Sequence, residues 1–388
     1  MIKQFFDKIR PNFEEGGKLH AFRSVFEGME TFMLVPNTTS KVGVSIHDAI
    51  DSKRIMSFVV IALIPALLFG MYNIGYQNAA AAGKLAETGF WSMFLYGFLL
   101  VLPKIVVSYV VGLGIEFAVA QWKKEEIQEG YLVSGILIPL IVPVNCPLWM
   151  LALAVAFSVI ICKEIFGGTG MNIFNPALIA RAFLFFSYPT SMSGDKVWVA
   201  GKDVFGLGYN LPDAATMATP LGEVGAGLQP TASLSDMIVG LIPGSIGETS
   251  VIAIAIGALI LLYTQIASIR TMTSVFVGGV LVAVLFNMAG MEGNAVANMP
   301  WYEHIVTGGF CFGAVFMATD PVTSSRTEKG QYVYGFLIGA LAILIRVLNP
   351  GYPEGMMLAI LFMNMFAPLI DYCVIQRNIN KRMKRVQK

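Results

Sequence analysis

The sequence predicts an all-α polytopic membrane protein of about ten transmembrane helices, arranged as two inverted five-helix repeats. Three observations predict it. Only 13% of the 388 residues are charged and 56% are hydrophobic, with a mean hydropathy of +0.68, whereas a soluble domain carries about 25% charged residues. Apolar runs of spanning length recur along the chain, and lysine and arginine gather in alternate loops between them.

A helix needs about 20 apolar residues to cross a bilayer core. On that criterion spans fall near 55–74, 94–120, 131–146, 147–166 and 174–190, then 248–268, 271–290, 301–319, 331–348 and 355–375. The third is short and holds Pro139 and Pro143, so it is expected to be broken or re-entrant. A shorter apolar piece, SDMIVGLIPG at 235–244, is expected to dip into the interface ahead of the sixth span. The chain therefore divides into a tail (1–54), a first membrane repeat (55–190), a polar loop (191–236), a second repeat (237–375) and a basic tail (376–388). The opening MIKQFFDKIRPNFEEGGK has scattered charges and no apolar core of a cleaved signal, so the first span is expected to direct its own insertion.

Orientation follows from the basic residues. Lys3, Lys8, Arg10, Lys18, Arg23, Lys41, Lys53 and Arg54 lie in the first tail, and Arg377, Lys381, Arg382, Lys384, Arg385 and Lys388 in the last. Lys123, Lys124, Lys163, Arg270, Arg326 and Lys329 occupy loops on the same side, against only Lys84, Lys196 and Lys202 opposite. Both termini are thus expected in the cytoplasm, with loop 191–236 on the outer face. Five spans on each side of that loop give halves of opposite topology, the plan of many transporters. An echo supports duplication: Asn175-Pro176 opens the fifth span and Asn349-Pro350 the tenth. A net charge of +1 argues against nucleic acid as a partner.

Ionisable groups inside spans usually face a partner, a cavity or a pathway. Glu116, Asp320 and Asp371 all lie near the cytoplasmic ends of spans, with Arg181 and Arg346 as basic counterparts. They suit either snorkelling to the interface or ligation of a hard cation through carboxylate and carbonyl oxygens. Asp371 is favoured for the cation because Pro368 precedes it and can free a backbone carbonyl. In KEIFGGTGMNIFNPAL, Asn172 and Asn175 stand at the inner end of the fifth span, and Asp320 at that of the eighth. Packed together, a carboxylate and two carboxamides would meet the imide edge of a flavin or the carbonyls of a quinone. Helix entry and helix packing explain the same residues. Cys146, Cys162, Cys311 and Cys373 are far apart without paired spacing, and the three histidines are scattered, so no metal cluster is expected from this chain alone.

Loop 191–236 holds DAATMATPLGE, Asp213 to Glu223. A threonine there is ordinarily a turn or cap residue, and its hydroxyl is a poor nucleophile without a base. The loop has neither histidine nor cysteine, so any modification would need an external enzyme. The run Asp213, Thr216, Ala218, Thr219 resembles the recognition sequence of the transferase that joins FMN to threonine through a phosphoester. The resemblance implies that Thr219 carries the flavin.

The rest of the chain resembles the B subunits of the sodium-translocating NADH:quinone oxidoreductases. The similarity runs through DSKRIMSFVVIALIPALLFGMYNIG, KEIFGGTGMNIFNPAL, RAFLFFSYP, IPGSIGE, FMATDPV, IRVLNPGYPEGMMLAILF and FAPLID. Thr216-Met217-Ala218-Thr219-Pro220 is itself closer to the paralogous D subunit of the ferredoxin-dependent ion pump, which stands as the alternative beside a non-redox inverted-repeat transporter. The resemblance implies a subunit of a six-subunit, lipid-embedded complex that passes electrons from NADH to quinone and exports Na+. It implies covalent FMN at Thr219, riboflavin at Asn172, Asn175 and Asp320, and a quinone site near Gly112, Gly114, Glu116 and Glu27. Asp371 and then Glu116 are the implied sodium residues. The chain has no dinucleotide or P-loop fingerprint, so NADH is expected to be handled by other subunits.

Overall fold

Pro and Gly decide where this apolar chain remains helical and where it breaks. The structure, a computed structural model, describes residues 2–13, 17, 23, 26, 30, 52–123, 130–211, 217–349, 351 and 353–386. Among these residues the regular structure is helical, apart from an isolated bridge between Val204 and Leu207. A short amphipathic helix, α1 (Ile2–Ile9), precedes the membrane part. Then come α2 (Ser52–Ala81) and α3 (Phe90–Lys123), with Pro65 and Pro103 inside them. Membrane helices tolerate such prolines where neighbours satisfy the freed carbonyls. Glycines let α2 and α3 pack with backbones in contact: a methyl at Gly75 or Gly97 would run into the backbone of Met93 or Met71 on the facing helix.

The third predicted span is broken, as its prolines suggest. α4 (Tyr131–Leu140) ends directly after Pro139, and 141–147 continue without helix. Partners outside the segment take its carbonyls. Gly247 N–H donates to Leu140 O at 2.7 Å, and the buried ammonium of Lys104 donates to Cys146 O at 2.6 Å. Asn145 Nδ2 ties the segment to Lys196 O and Val199 O, both at 2.8 Å. α5 (Leu148–Phe157) follows and widens into a π-helical turn, Ser158–Glu164. α6 (Pro176–Ser187) starts where Asn175 Oδ1 accepts the N–H groups of Ala177 and Leu178, with Pro176 in the first turn.

Loop residues carry two small helices beyond α7 (Pro189–Met192): α8 (Pro220–Gly225), capped by Thr219, and α9 (Leu234–Val239), which opens on a Ser233–Asp236 capping box. α10 (Val251–Tyr263) and α11 (Ile269–Ala289) start at Ser250 and Ser268 caps. The eighth predicted span is also broken. α12 (Trp301–Val306) ends before Gly308 and Gly309, whose φ values are +60° and +66°, and α13 (Phe310–Phe312) passes into a π-helical turn, Gly313–Met317. Only glycine takes that left-handed conformation without strain. Again a buried cation holds the break, for Arg346 donates to the carbonyls of His304 (2.6 Å), Thr307 (3.3 Å) and Gly308 (3.4 Å). It also reaches Pro353 O and Glu354 O. α14 (Glu328–Leu348) packs against α11 through Gly278 and Gly339, and α15 (Met356–Val386) closes the described chain.

The chain is an all-helical polytopic membrane protein. Among the described residues five helices are long and apolar enough to cross a bilayer, and Tyr131–Leu140, Pro176–Ser187 and Val251–Tyr263 are shorter apolar helices. Large apolar side chains such as Val110, Leu259, Val277 and Met365 point outward from the bundle, as lipid contact requires. Several helices run past the predicted bounds, among them α2 from Ser52 to Ala81, α3 to Lys123 and α15 to Val386. Gln376, Arg377, Lys381, Arg382, Lys384 and Arg385 keep the last turns of α15 in good helix-forming sequence.

Candidate functional site

Two clefts open near the two ends of α6. Asn175 and Pro176, at its start, line the first; Arg181 and Phe185, one and two turns further on, line the second.

The first cleft brings together residues that the sequence keeps 145 positions apart. Asn175 Nδ2 donates to Asp320 Oδ2 at 3.1 Å while its Oδ1 caps α6. Asp320 also accepts from Val322 N–H at 3.0 Å and Thr323 Oγ1 at 3.1 Å. Three donors, from Asn175, Val322 and Thr323, thus hold the Asp320 carboxylate. Asn172, also on this cleft, donates to Phe174 O at 2.9 Å. Thr169 lines it with a buried hydroxyl that has no hydrogen-bond partner among the described residues. Carboxylate, carboxamide and free hydroxyl thus converge on one opening, a donor and acceptor set that fits a planar group with a polar edge.

Lys163 lines the same cleft from the π-helical turn and forms an ion pair with Glu116 of α3. Both side chains are buried, and Glu116 Oε2 has no partner among the described residues. Near Glu116 the two glycines differ. The ring of Tyr131 fills the space beside Gly112, whereas nothing approaches within 4 Å of a Cβ placed on Gly114. Glu27 lies outside the described residues.

Asp371 stands apart from this cleft on α15. Its carboxylate accepts from Ser325 Oγ (2.6 Å), Thr327 Oγ1 (2.6 Å), Arg326 N–H (2.8 Å) and Thr327 N–H (3.0 Å), so it fastens the approach to α14.

The second cleft has an open volume of about 280 Å³. Thr219 lies on it half-buried, its hydroxyl accepting Gly222 N–H at 3.1 Å. Ala218 is likewise half-buried, while Asp213 and Thr216 lie outside the described residues. Across the cleft, buried Arg181 pairs with Glu248 at 2.7 Å and with Glu354. Sequence reasoning identified Arg181 but missed both acids. An arginine inside a span signals that carboxylates are near it, but not which ones, and Glu248 and Glu354 are 67 and 173 positions away.

The sequence profile of the NQR2, RnfD, RnfE family matches residues 39–380. The chain is 45% identical over 403 residues to the Na(+)-translocating NADH-quinone reductase B subunit of Chromohalobacter salexigens, covering 99% of this chain and 96% of that one. It is 44% identical over 411 residues to the protein of the same name from Pseudoalteromonas atlantica, and 42% identical over 407 residues to that of Neisseria meningitidis serogroup B. Each of these two similarities covers 99% of both chains.

Proposed function

The chain belongs to the NQR2, RnfD, RnfE family, and from that premise we propose that it is the membrane subunit of a sodium-translocating NADH:quinone reductase, carrying covalent FMN at Thr219. It acts within a six-subunit complex of the bacterial inner membrane, with both termini cytoplasmic and the Thr219 loop periplasmic. Its ten spans form two inverted repeats, and the breaks in the third and eighth spans are corresponding parts of those repeats.

One observation carries the reading. Thr219, last residue of Thr216-Met217-Ala218-Thr219, stands on the wall of a cleft large enough to receive part of a tethered group. An FMN transferase would move the FMN phosphoryl group from a flavin dinucleotide to Thr219 Oγ1, breaking the pyrophosphate bond and releasing the nucleoside monophosphate with the hydroxyl proton. The tether leaves the ring free, so Thr219 holds the group and takes no part in its chemistry. When bound, the flavin ring supplies the electron-carrying chemistry; this chain positions it, shields it from water and sets its surroundings.

Riboflavin is held without a covalent bond in the first cleft by Asn172, Asn175 and Asp320. The Thr169 hydroxyl, without a partner among the described residues, and the Asn175–Asp320 pair supply the polar edge that such a ring needs. From its cap Asn175, Arg181 lies six positions along α6, a rise of about 9 Å. The two proposed flavin positions therefore share one helix. Quinone binds beside Gly112, Gly114 and Glu116, with Glu27 contributed from the N-terminal tail. Sodium passes by way of Asp371 and Glu116, and at Asp371 it would compete with the four donors that its carboxylate now accepts.

Thr219→Ala tests the reading. The subunit made with the transferase is expected to fluoresce under ultraviolet light on a denaturing gel, and Thr219→Ala to abolish the signal. Fluorescence that persists in the variant places the attachment elsewhere. The Thr-Met-Ala-Thr-Pro form of the motif favours a second reading, the D subunit of a ferredoxin-dependent pump. Neighbouring genes for an NADH-oxidising flavin and iron–sulfur subunit would exclude it.

A further inference from the structure

The end of α2 that carries Arg54 borders a space that neither proposed flavin position uses. Arg54 is exposed, and it is the last charged residue before 55–83, a stretch without any charge. It therefore marks the depth at which α2 leaves the hydrocarbon. Tyr263, the last residue of α10, is 91% exposed, as aromatic side chains at a membrane interface are. At this depth α2 and the chain leaving α10 stand apart, and an open crevice of about 390 Å³ lies between them.

On α2 the crevice is lined by Arg54, Ser57, Phe58 and Ile61. Their spacing of three, four and seven positions from Arg54 puts all four on one helix face. Phe58 and Ile61 are exposed, and Ile64 and Leu68, exposed in turn, carry the same face on into the hydrocarbon. Within two turns this face changes from guanidinium and hydroxyl to bare hydrocarbon. Thr264 and Ile266 form the facing wall. Between them Gln265 takes φ +57°, a conformation unfavourable for any residue with a Cβ. Hydrogen bonds hold the turn nonetheless: Ile266 N–H donates to Leu261 O at 3.1 Å, and the Thr264 hydroxyl to Ile260 O at 2.9 Å. An arginine at a helix end is by itself an ordinary interfacial anchor. It does not account for a walled crevice that is polar at one end and apolar towards the hydrocarbon.

We propose that this crevice seats one anionic phospholipid, its phosphodiester on Arg54 and Ser57 and an acyl chain along Phe58, Ile61, Ile64 and Leu68. A guanidinium meets two phosphate oxygens at once, as an ammonium does not. An anionic headgroup suits the site better than a zwitterionic one, whose own cation stands beside the phosphate and competes with Arg54 for it. Ile55 and Ile266 line both this crevice and the first cleft. A lipid held here therefore backs a wall of that cleft.

The test uses the full chain, purified in detergent, stripped of lipid and titrated with phosphatidylglycerol or with phosphatidylcholine of the same acyl chains. Native mass spectrometry counts the lipids bound per chain, and the thermal midpoint follows their binding. One phosphatidylglycerol is expected to bind ahead of the rest and more tightly than one phosphatidylcholine. Arg54→Gln is expected to cut that preference about fivefold, the effect of one basic side chain at a membrane surface. Ile61→Trp, which crowds the crevice, is expected to weaken both lipids. Arg270→Gln is the control: this arginine pairs with Glu328 outside the crevice, and its loss is expected to leave the preference unchanged. Equal affinity for the two lipids, with no first site filled ahead of others, overturns the seat. So does an Arg54→Gln chain indistinguishable from its parent, or an Arg270→Gln chain that loses as much preference, since surface charge alone would then explain the binding. Excess inorganic phosphate is expected to leave the lipid bound; release would make this a site for a free anion and overturn the lipid as its occupant. If Ile61→Trp fails to fold, the two arginine variants decide the matter. No readout depends on a flavin, so failure of the seat leaves the reading of Thr219 untouched.

Discussion

Lys163→Met is expected to destabilise the chain severely, and the arithmetic follows from burial. The side chains of Lys163 and Glu116 are 5% and 4% exposed, so water does not replace a lost partner on either side. Two unit charges about 4 Å apart attract by roughly 4 kcal/mol at an effective dielectric constant of about 20. Removing one partner of a buried pair costs about 3–5 kcal/mol, because the other charge is left uncompensated. Glu116 is poorly placed to absorb the loss, since its Oε2 already has no partner among the described residues. Replacing both residues by methionine removes both desolvation penalties and is expected to leave stability unchanged or raise it by up to about 4 kcal/mol. The assay is a double-mutant cycle on the detergent-purified chain, with Lys163→Met, Glu116→Met and the double variant unfolded by denaturant. The two single losses are expected to exceed the double loss by at least about 3 kcal/mol. A coupling below about 0.5 kcal/mol would refute the claim that these charges are a desolvated pair.

Further perturbations test other parts of the account. Asn175→Ala removes the α6 cap and the Asp320 contact together, so it is expected to cost about 1–2 kcal/mol and to lower the riboflavin retained after purification, measured by extraction and fluorescence. Asp371→Asn keeps the shape and the Oδ1 acceptor of three donors, but sets an amide N–H2 against Arg326 N–H, the donor that Oδ2 accepts, and removes the negative charge. The sodium concentration for half-maximal turnover of the complex is expected to rise, and an unchanged sodium titration removes Asp371 from the pathway. Gly309→Ala places a Cβ at φ +66° and 2.9 Å from the Glu248 carboxylate. Such a site is expected to lose more than about 1 kcal/mol, read as an earlier denaturant midpoint.

Much of this was legible where local chemistry dictates local structure. The proline pair in the third span announced a break, and α4 stops directly after Pro139. Asn175-Pro176 ahead of an apolar run marked a helix start, which is how Asn175 came to the first cleft. The break at 307–309 was not legible. TGGFCFG inside an apolar span reads equally well as close helix packing, and only the positive φ values of Gly308 and Gly309 distinguish the two. The partners of Arg181 were also out of reach of local reading, since Glu248 and Glu354 lie 67 and 173 residues away in loops. Their pairing depends on how helices pack, which hydropathy alone does not encode. Lys104 was hidden for a related reason. Its acceptor is a carbonyl of the broken span, and a backbone carbonyl leaves no mark in the sequence.

The most direct test of the central claim is the mass of the peptide containing Thr219, taken from the chain produced with and without the FMN transferase. The account predicts an increase of one FMN less one water, localised to Thr219 and present only with the transferase. An unmodified Thr219 peptide from both preparations would contradict it.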